Sequence, residues 1–256
     1  VVPHFRKTGE WTSAANLNFA AALEFATNEG KSRLSGKKIA LDEKDPKTFS
    51  TYEEVEEAFY KQFAYLIKQA VISLITAQRL HVEMVPRPFM SACIADCMKK
   101  GKDLTKGGAK YNIGPVITGI GIAVVANSLA AIKKLVFEEK SVTMAEIIDA
   151  INNNWEGYDE LRAKVQAAPK YGNDDDYVDD IGNFFYQEVH KYKDINGNHF
   201  LSAFMGISNY LPTGKVLGAT PDGRKATEPI SEGVSPYVGT DTSTPLAAMR
   251  SAAKLN

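Results

Sequence analysis

One glycine-rich segment limits what this chain can fold into. The sequence GKDLTKGGAKYNIGPVITGIG occupies positions 101–121, and its second half is strongly apolar. So much glycine disfavours a regular helix, and the apolar residues do not suit a surface loop. Backbone of this composition commonly approaches another strand or a ligand closely. We therefore expect the segment to be buried, either beside another part of the chain or at a binding site.

Helical signals lie on both sides of this segment. Thr143 with Glu146 has the spacing of a capping box, and Ser50 or Thr51 precedes another helical pattern. Short extended segments, including 196–211, separate the helical patterns, and this alternation predicts an α/β fold. The apolar periodicity and the capping signals predict helices at 14–29, from 52 to about 81, at 90–100, at 122–137, and from 143 to Pro169.

An acidic run, DDDYVDD, occupies positions 174–180. A calcium loop of the EF-hand type starting at Asp174 would need glycine in its sixth place and glutamate in its twelfth, and the sequence has neither. Apolar residues at helical spacing follow the run. We therefore expect Asn173 or Asp174 to cap one helix that begins at the run and continues beyond Val189. A metal site is the less favoured alternative.

The last third of the chain changes character. Segment 213–245 is dense in glycine, proline, aspartate and threonine, and Asp222-Gly223 is a turn signal. Loops of this length are usually functional or disordered. The placed glycines and prolines, together with Arg224, predict an ordered loop, in which Arg224 ties the backbone through carboxylate or carbonyl contacts.

Composition excludes some classes of partner. A net charge of -1 gives no indication of nucleic acid or an anionic membrane. The apolar run at 117–132 is interrupted by Asn127 and Ser128, which favours a buried helix over a membrane span. Cys93 and Cys97 are expected on one face of a helix as packed, reduced thiols, which is typical of a cytoplasmic protein.

Five motifs carry a resemblance to a known family. They occur in the order GGAKYN, ANSLAAIKKLVFEEK, NNWEGYDELR, PKYGNDDDYVD and LGATPDGRKATEPISEGVSP, and the chain closes with SAAKLN. Each motif is moderately specific alone, but five in this order are highly specific. The chain thus resembles the glycyl radical enzymes of the pyruvate formate-lyase-like family over nearly its whole length.

The resemblance implies a fold and a chemistry. Members store a radical on a backbone glycine near their C-terminus, and a separate radical-SAM activating enzyme installs it. The radical generates a thiyl on a cysteine, which takes a hydrogen from a small-molecule substrate. The family fold is a ten-stranded α/β barrel of two half-sheets with helices outside, of which this chain would be a helix-rich, incomplete part. A cytoplasmic homodimer of anaerobic metabolism, with no bound metal or other cofactor, is also implied.

Neither radical residue is expected within the chain. The opening VVPHFRKTGEW resembles the sequence after the catalytic cysteine, which the resemblance places immediately before Val1, while the radical glycine would follow Asn256. Cys93 and Cys97 match no catalytic loop. Both ends of the chain fall in mid-pattern, so we expect residues 1–256 to be an internal portion of the catalytic domain. It would lie between the thiyl-cysteine loop and the C-terminal glycyl radical domain, and it would be inactive alone.

Position 2 bears on the type of reaction. Family members that eliminate water or amines carry a proton-accepting glutamate two residues after the cysteine, where this alignment has Val2. A valine transfers no proton, so the alignment favours radical addition to fumarate, as in the alkyl- and benzylsuccinate synthases. The alternatives are a glycerol- or diol-dehydratase-like, arylacetate-decarboxylase-like or formate-acetyltransferase-like member, or a C–N or C–S lyase. The enzyme would thus be a lyase or an acyl or alkyl transferase.

The resemblance also implies which residues face the barrel interior. Arg6 is the candidate clamp for a substrate carboxylate, with an exposed loop charge as the alternative. For the apolar and polar pocket candidates, packing of the barrel wall is the alternative. The histidines at 81, 190 and 199 show no ligand spacing and are expected at the surface or as caps. The substrate-pocket candidates are Val1, Val2, Tyr111, Asn112, Ile113, Phe204, Met205 and Ile207.

Two interpretations outside this family stay open. The GATPDGRK loop could belong to a phosphate-binding module, although it lacks the Gly-x-x-x-x-Gly-Lys-Ser/Thr pattern. A non-catalytic helical scaffold is the other, since helices dominate. A scaffold would have no need of the glycine-rich apolar stretch at 107–121.

Overall fold

The structure is a computed structural model that describes residues 8–9, 14–180, 183–206 and 208–255. Within these ranges no helix is both long and apolar enough to span a membrane. The α-helices are α1 (Phe19–Ala26), α2 (Tyr52–Met84), α3 (Pro88–Cys93), α4 (Cys97–Lys100), α5 (Ile122–Ile132), α6 (Met144–Asn152), α7 (Asp159–Ala167), α8 (Asp176–Asp179), α9 (Asn183–His190), α10 (Tyr210–Lys215) and α11 (Pro245–Ala253). The strands are β1 (Thr8–Gly9), β2 (Ala15–Asn18), β3 (Tyr111–Asn112), β4 (Val116–Ile120) and β5 (Leu201–Phe204).

The chain divides into two compact units, and the strands form two small sheets. Strand β1 pairs in parallel with β3, and the second sheet has the order β2-β4-β5. Helices combined with strands, one pair of them parallel, confirm the predicted α/β class. The first unit contains Val1–Leu17, Ile67–Thr118 and Phe185–Ala203, and the second contains Asn18–Leu66, Gly119–Phe184 and Phe204–Asn256.

The glycine-rich segment is confirmed as non-helical over most of its length. It contains one 3₁₀ turn, Leu104–Lys106, and then strands β3 and β4. A Cβ atom on Gly114 would overlap the carbonyl oxygen of His199, and one on Gly108 would overlap that of Lys102. In the first unit, therefore, these glycines are required because another part of the same backbone passes close by.

The first predicted helix starts too early. Residues Ala15–Asn18 form β2, and Ala14 N donates to Val116 O at 2.9 Å. Helix α1 begins only after Asn18, whose side chain accepts a hydrogen bond from Ala21 N at 3.2 Å. The apolar spacing of this segment is compatible with both structures, and strand pairing overrides the local preference for helix.

The helix predicted at 90–100 is wrong. The structure has two short helices there, α3 and α4, and Asp96 between them has a left-handed φ of 75°. Cys93 is exposed while Cys97 is buried, so the two thiols do not share one packed face. The break allows Asp103, which follows α4, to accept hydrogen bonds from Ser91 Oγ and Arg87 N, both at 2.9 Å. Those tertiary bonds hold α3 against the 3₁₀ turn at 104–106.

Two other helix predictions are confirmed with adjusted ends, and a third is confirmed only at its start. At the start of α2, Glu54 N donates to Thr51 Oγ1 at 3.3 Å, and the helix continues three residues beyond His81. The capping box of Thr143 and Glu146 opens α6, but the single helix predicted from 143 to Pro169 is wrong, because Asn154 and Trp155 between α6 and α7 have left-handed φ angles of 52° and 64°. Helix α5 is shorter than predicted because its last turn changes into a π-helix at Lys133–Glu138. Such π-helical turns are rare and frequently lie at functional sites.

An aromatic cluster forms much of the core of the second unit. The ring centroids of Phe19 and Phe63 lie 4.5 Å apart. Those of Phe63 and Phe184 lie 4.7 Å apart, with an angle of 70° between the ring planes. Edge-to-face pairs of this kind add to the apolar area that the rings bury. Gly119 on β4 has room for no side chain, because a Cβ there would overlap the ring of Phe19. The glycine thus brings the strand against the aromatic cluster.

The acidic run begins a helix, but a shorter one than predicted. Asp175 is the N-cap, accepting from Tyr177 N at 3.0 Å, so the predicted cap at Asn173 or Asp174 is one or two residues early. Helix α8 ends at Asp179, and a separate helix, α9, extends past Val189 to His190. A glycine in the sequence at position 182 weakens helix propensity between them. The prediction of one continuous helix is therefore wrong.

The carboxylates of the run converge on a lysine. Lys254 Nζ lies 2.9 Å from Asp174 Oδ1, 2.7 Å from Asp176 Oδ1 and 3.0 Å from Asp179 Oδ2. These hydrogen bonds raise the pKa of Lys254, which keeps the ammonium charged. Ser251 Oγ also donates to Asp179 Oδ2 at 2.8 Å. The run therefore fixes the end of α11 to α8 through an ammonium ion, which occupies the place expected for a metal in the alternative interpretation.

Replacing Gly114 by alanine is expected to destabilise the full-length protein. Its new Cβ would overlap the His199 carbonyl, and overpacking of this kind costs about 1–3 kcal/mol. Gly206→Ala is the matched control, since its Cβ would meet only the flexible end of Glu232, at 3.1 Å. Thermal unfolding should show a clear drop in midpoint for the first variant alone. Equal midpoints for the two variants would contradict the close approach.

A second pair of variants tests the carboxylate cluster. Asp179 is fully buried, so Asp179→Asn removes a buried charge-assisted contact and should cost about 1–3 kcal/mol. Asp176 is 92% exposed, and Asp176→Asn should change stability little because surface ion pairs contribute little. Denaturant unfolding of both variants measures the difference. Retention of wild-type stability by Asp179→Asn would show that Lys254 does not hold α8 in place.

Candidate functional site

Four of the residues predicted for the site cannot be placed. Val1, Val2, Arg6 and Ile207 lie outside the described residues. Their predicted roles, as apolar wall and as carboxylate clamp, therefore stay predictions. The remaining candidates lie in both units: Tyr111, Asn112 and Ile113 in the first, and Phe204 and Met205 in the second.

In the first unit, strand β3 carries Tyr111 and Asn112. The side chain of Asn112 donates from Nδ2 to the carbonyls of Gly107 at 3.2 Å and Ala109 at 3.1 Å. Its amide thus ties the glycine-rich loop together, as the packing alternative expects. Tyr111 is 46% exposed, with the ammonium of Lys110 lying 5.4 Å from its ring centroid.

Asn112 and Ile113 also line a small cavity of about 120 Å³ in this unit. Polar side chains contribute most of the remaining lining, among them Arg87 and Asp194. Asp194 Oδ1 accepts backbone hydrogen bonds from residues 196 and 198 at 2.9 and 2.8 Å, which orders the far wall. The cavity is smaller than the roughly 300–1,000 Å³ of typical ligand pockets. On its own it would hold waters or a very small group.

In the second unit, Phe204 lies at the end of β5. Its ring is 5.8 Å from that of Phe19, and it also packs near Gly119. Met205 lies beyond the strand, so within the described residues the extended segment predicted at 196–211 forms a strand only at Leu201–Phe204. Its carbonyl oxygen approaches Gly233, which has φ +43° and would place a Cβ 2.8 Å away. This approach to the 228–233 loop takes the chain out of the sheet at Met205.

The loop that meets Met205 contributes a carboxylate that the sequence analysis missed. Glu232 Oε1 lies 3.1 Å from where a Cβ on Gly206 would be. In the part of the chain that the structure describes, its carboxylate makes no ion pair or hydrogen bond. Glu232 belongs to the sequence EPISEG, and nothing in that pattern indicates that the segment returns to the end of β5.

The same loop is held over the start of helix α5. Gly121 N donates to Ser231 O at 3.1 Å, and Ala123 N donates to Ser231 Oγ at 3.1 Å. Gly121, at the N-cap position with φ 87°, has no side chain to satisfy these amides. Ser231 therefore supplies from a distant segment the cap that α5 lacks, and this fixes the neighbouring Glu232.

Arg224 holds the loop that precedes it. Its Nη1 donates to the carbonyls of Lys225 at 2.9 Å and Glu228 at 2.7 Å, and its Nη2 donates to the carbonyl of Gly218. Its Nε donates to Thr220 Oγ1 at 3.3 Å. Arg224 is buried and each of its guanidinium nitrogens is engaged, so the predicted structural role is confirmed. This arginine is also occupied internally, which weakens the phosphate-binding-module interpretation of the GATPDGRK loop.

Buried carboxylates fix the loop from two sides. Asp222 Oδ1 accepts from Thr220 Oγ1 at 2.6 Å, and burial raises the pKa of Asp222. Glu24 on α1 accepts from Gly218 N at 2.7 Å and from Arg33 N at 2.9 Å. Burial likewise raises the pKa of Glu24, against these two hydrogen bonds. The loop is thus ordered by polar contacts, as predicted, although it has neither helix nor strand.

The histidines and acidic residues form no metal centre in the described ranges. His190 and His199 stack with ring centroids 4.3 Å apart, and His199 Nδ1 shares a hydrogen bond with His190 O at 2.7 Å. No group of three or more histidine, cysteine, aspartate or glutamate side chains within those ranges could hold a metal ion.

Comparisons with known proteins place this geometry in a family. The family model described as pyruvate formate lyase-like matches residues 2–214. Trans-4-hydroxy-L-proline dehydratase of Clostridioides difficile is 37% identical over 245 residues, covering 94% of this chain and 31% of that protein. (2S)-3-sulfopropanediol dehydratase of Klebsiella oxytoca is 37% identical over 232 residues, covering 88% of this chain and 28% of that protein.

A solved structure agrees. The glycerol-bound form of the B12-independent glycerol dehydratase from Clostridium butyricum matches with a TM-score of 0.93 at 34% identity, covering 98% of this chain and 32% of that one. The chain thus spans about a third of the length of the proteins it matches. The match also confirms the predicted fold, part of the α/β barrel of glycyl radical enzymes. The chain belongs to the pyruvate formate lyase-like family of glycyl radical enzymes.

Proposed function

We propose that this chain is part of a glycyl radical enzyme that eliminates water from a small hydroxylated substrate. The observation that carries the proposal is that both relatives and the solved structure described above are dehydratases. The preference for fumarate addition, which rested on Val2, finds no support in these relatives. It becomes the competing outcome of the experiment.

The elimination sets requirements that the chain's own residues must meet. The thiyl radical, on the cysteine expected before Val1, would remove a hydrogen atom from the carbon beside the leaving hydroxyl. The hydroxyl then leaves as water, which needs one proton delivered to it, and the neighbouring group gives up a proton. Val2 can do neither. A proton-transferring side chain must therefore come from elsewhere in the pocket.

We propose Glu232 for this role. Its carboxylate lies next to Gly206 and Met205, at the end of the strand that the family resemblance points toward substrate. No other described side chain neutralises it, so it is available to accept and return a proton. Ser231, bound to the start of α5, holds the adjoining loop backbone in place at this position.

The proposed enzyme also depends on a radical cofactor and on protein partners. Family membership supports a glycyl radical installed by a separate radical-SAM activating enzyme. It also supports assembly with the remainder of the catalytic subunit and a homodimeric state in the cytoplasm. The small-molecule substrate would belong to the chemical class that the names of the related dehydratases indicate, namely vicinal diols and hydroxylated acids.

The reaction class is tested on the full-length protein. After anaerobic activation, checked by the radical signal in EPR, it is incubated with glycerol, trans-4-hydroxy-L-proline, 3-sulfopropanediol, isethionate and choline, and separately with fumarate plus toluene. We expect loss of water from one hydroxylated compound, seen by NMR, and no fumarate consumption. Formation of a substituted succinate, with every hydroxylated compound unchanged, would overturn the proposal.

Glu232→Gln tests the proton transfer. The amide keeps the size of the side chain but cannot accept a proton, so turnover should fall by about 10²–10⁴-fold while the EPR radical forms normally. Glu228→Gln is the matched control in the same loop. Glu228 Oε2 accepts Lys225 N at 2.9 Å, a contact that a glutamine oxygen can keep. Equal turnover of the two variants would assign the proton transfer to another residue.

A further inference from the structure

A polar cleft of about 600 Å³ lies within the second unit, beside the loop that Arg224 holds. Its walls come from α5 with its π-helical turn, the end of α7 with the segment 168–170 that follows it, the turn at 222–224 and the segment 237–240. Its volume lies within the range of sites for small organic ligands. The proposed elimination makes no use of it.

One buried side chain in this cleft has a donor with no acceptor among the described residues. Asn127 is fully buried and lines the cleft. Its Oδ1 accepts from Tyr171 N at 2.8 Å, which fixes the orientation of the amide. Its Nδ2 has no hydrogen-bond partner among the residues that the structure describes. Buried donors in native proteins are almost always paired, so Asn127 lacks an acceptor that a ligand could supply.

The charges left over in the cleft are positive. Arg162 donates from Nε to Gly223 O at 2.8 Å, and its terminal amino groups meet no acceptor in the described ranges. Lys170 Nζ donates to the carbonyls of Val165 at 2.7 Å and Ala168 at 2.9 Å, and it has no described carboxylate within salt-bridge distance. Burial lowers the pKa of Lys170 to about 8, and Asp222 opposes that change.

The acidic side chains around the cleft are already engaged. Asp222 accepts from Thr220 Oγ1, Asp175 accepts from Tyr177 N as the cap of α8, and Glu228 accepts from Lys225 N. Lys134 is only weakly paired, with Glu139 at 3.8 Å. The unmet groups, an amide, an ammonium and a guanidinium, are therefore donors. A ligand that satisfies them must present several acceptor oxygens and carry negative charge.

We propose that this cleft is a binding site for a phosphate group, either free phosphate or a small phosphate monoester. Three oxygens in a tetrahedral arrangement can reach donors that converge from different elements, and a carboxylate offers only two. Asn127, Lys170 and Arg162 would contact the oxygens directly. Lys134 would add long-range attraction from the π-helical turn. Space for more than one phosphate group in the cleft favours a monoester over the free ion.

Two neighbouring lysines make a matched test in the full-length protein. Lys134 lines the cleft, whereas Lys133 lies over the rings of Tyr52 and Tyr177, 5.3 and 4.7 Å from their centroids. Calorimetric titration at constant ionic strength with inorganic phosphate and with glycerol 3-phosphate should show binding, tighter for the monoester. Lys134→Gln should weaken it by about fivefold, because the cleft loses one nearby positive charge, and Lys133→Gln should not.

A second readout is the reactivity of Lys170. A lysine with a pKa of about 8 is about half neutral at pH 8, whereas an ordinary lysine is almost wholly charged. Acetic anhydride at pH 8 should therefore modify Lys170 unless phosphate occupies the cleft. Mass spectrometry should show phosphate slowing modification at Lys170 and leaving the exposed Lys99 unchanged.

The results separate the possible outcomes. Tighter binding of glycerol 3-phosphate than of phosphate identifies a monoester site, and equal binding identifies a site for free phosphate. Binding of neither probe by the wild-type protein would overturn the proposal. So would equal weakening by both lysine variants, or unchanged modification of Lys170 at saturating phosphate.

Discussion

The buried guanidinium of Arg224 is the contact on which the described part of the second unit depends most. A buried cation is tolerated only when its donors are satisfied, and Arg224 satisfies them with three backbone carbonyls and a threonine hydroxyl. These hydrogen bonds hold in one conformation a loop that contains neither helix nor strand. Glu24 fixes the start of that loop through Gly218 N, and Ser231 fixes its continuation over α5. The cleft and the carboxylate of Glu232 both lie on backbone that these contacts position.

Sequence patterns predicted those features whose stabilising partner is a few residues away. The capping box of Thr143 and Glu146 is complete within four residues, and the structure contains it. The carbonyl contacts of Arg224 within its own loop were predicted for the same reason. The segments 14–18 and 90–100 were predicted wrongly because their apolar spacing is helical. Their actual structures depend on Val116 and Asp103, which no local pattern reveals.

The acidic run also shows that a local sequence pattern does not reveal distant charge partners. Its composition correctly indicated a helix start, since a negative charge is favoured there. It could not indicate that Lys254, 75 residues after Asp179, would contact three of its carboxylates. Of the site candidates, Asn112 and Phe204 were found in packing roles that the sequence analysis had weighed as alternatives. Glu232 and Asn127 were not identified, because the Glu232 carboxylate and the Asn127 Nδ2 stand out only by having no partner among the described residues, which a sequence cannot show.

Two carboxylates of the same ordered loop differ in how strongly hydrogen bonds hold their side chains. Asp222 is buried, hydrogen-bonded to Thr220 and adjacent to Arg224, so a proton transferred to it would have to break contacts that hold the loop. Among the described residues, Glu232 is held through its backbone carbonyl, which accepts from Ser235 N at 2.8 Å, and its carboxylate takes no part in that contact. Structural and catalytic carboxylates place conflicting demands on one side chain, and in the proposed elimination the two roles would fall on carboxylates ten residues apart. A part held rigid by Arg224 and a part whose carboxylate has no partner among the described residues can therefore coexist in one segment.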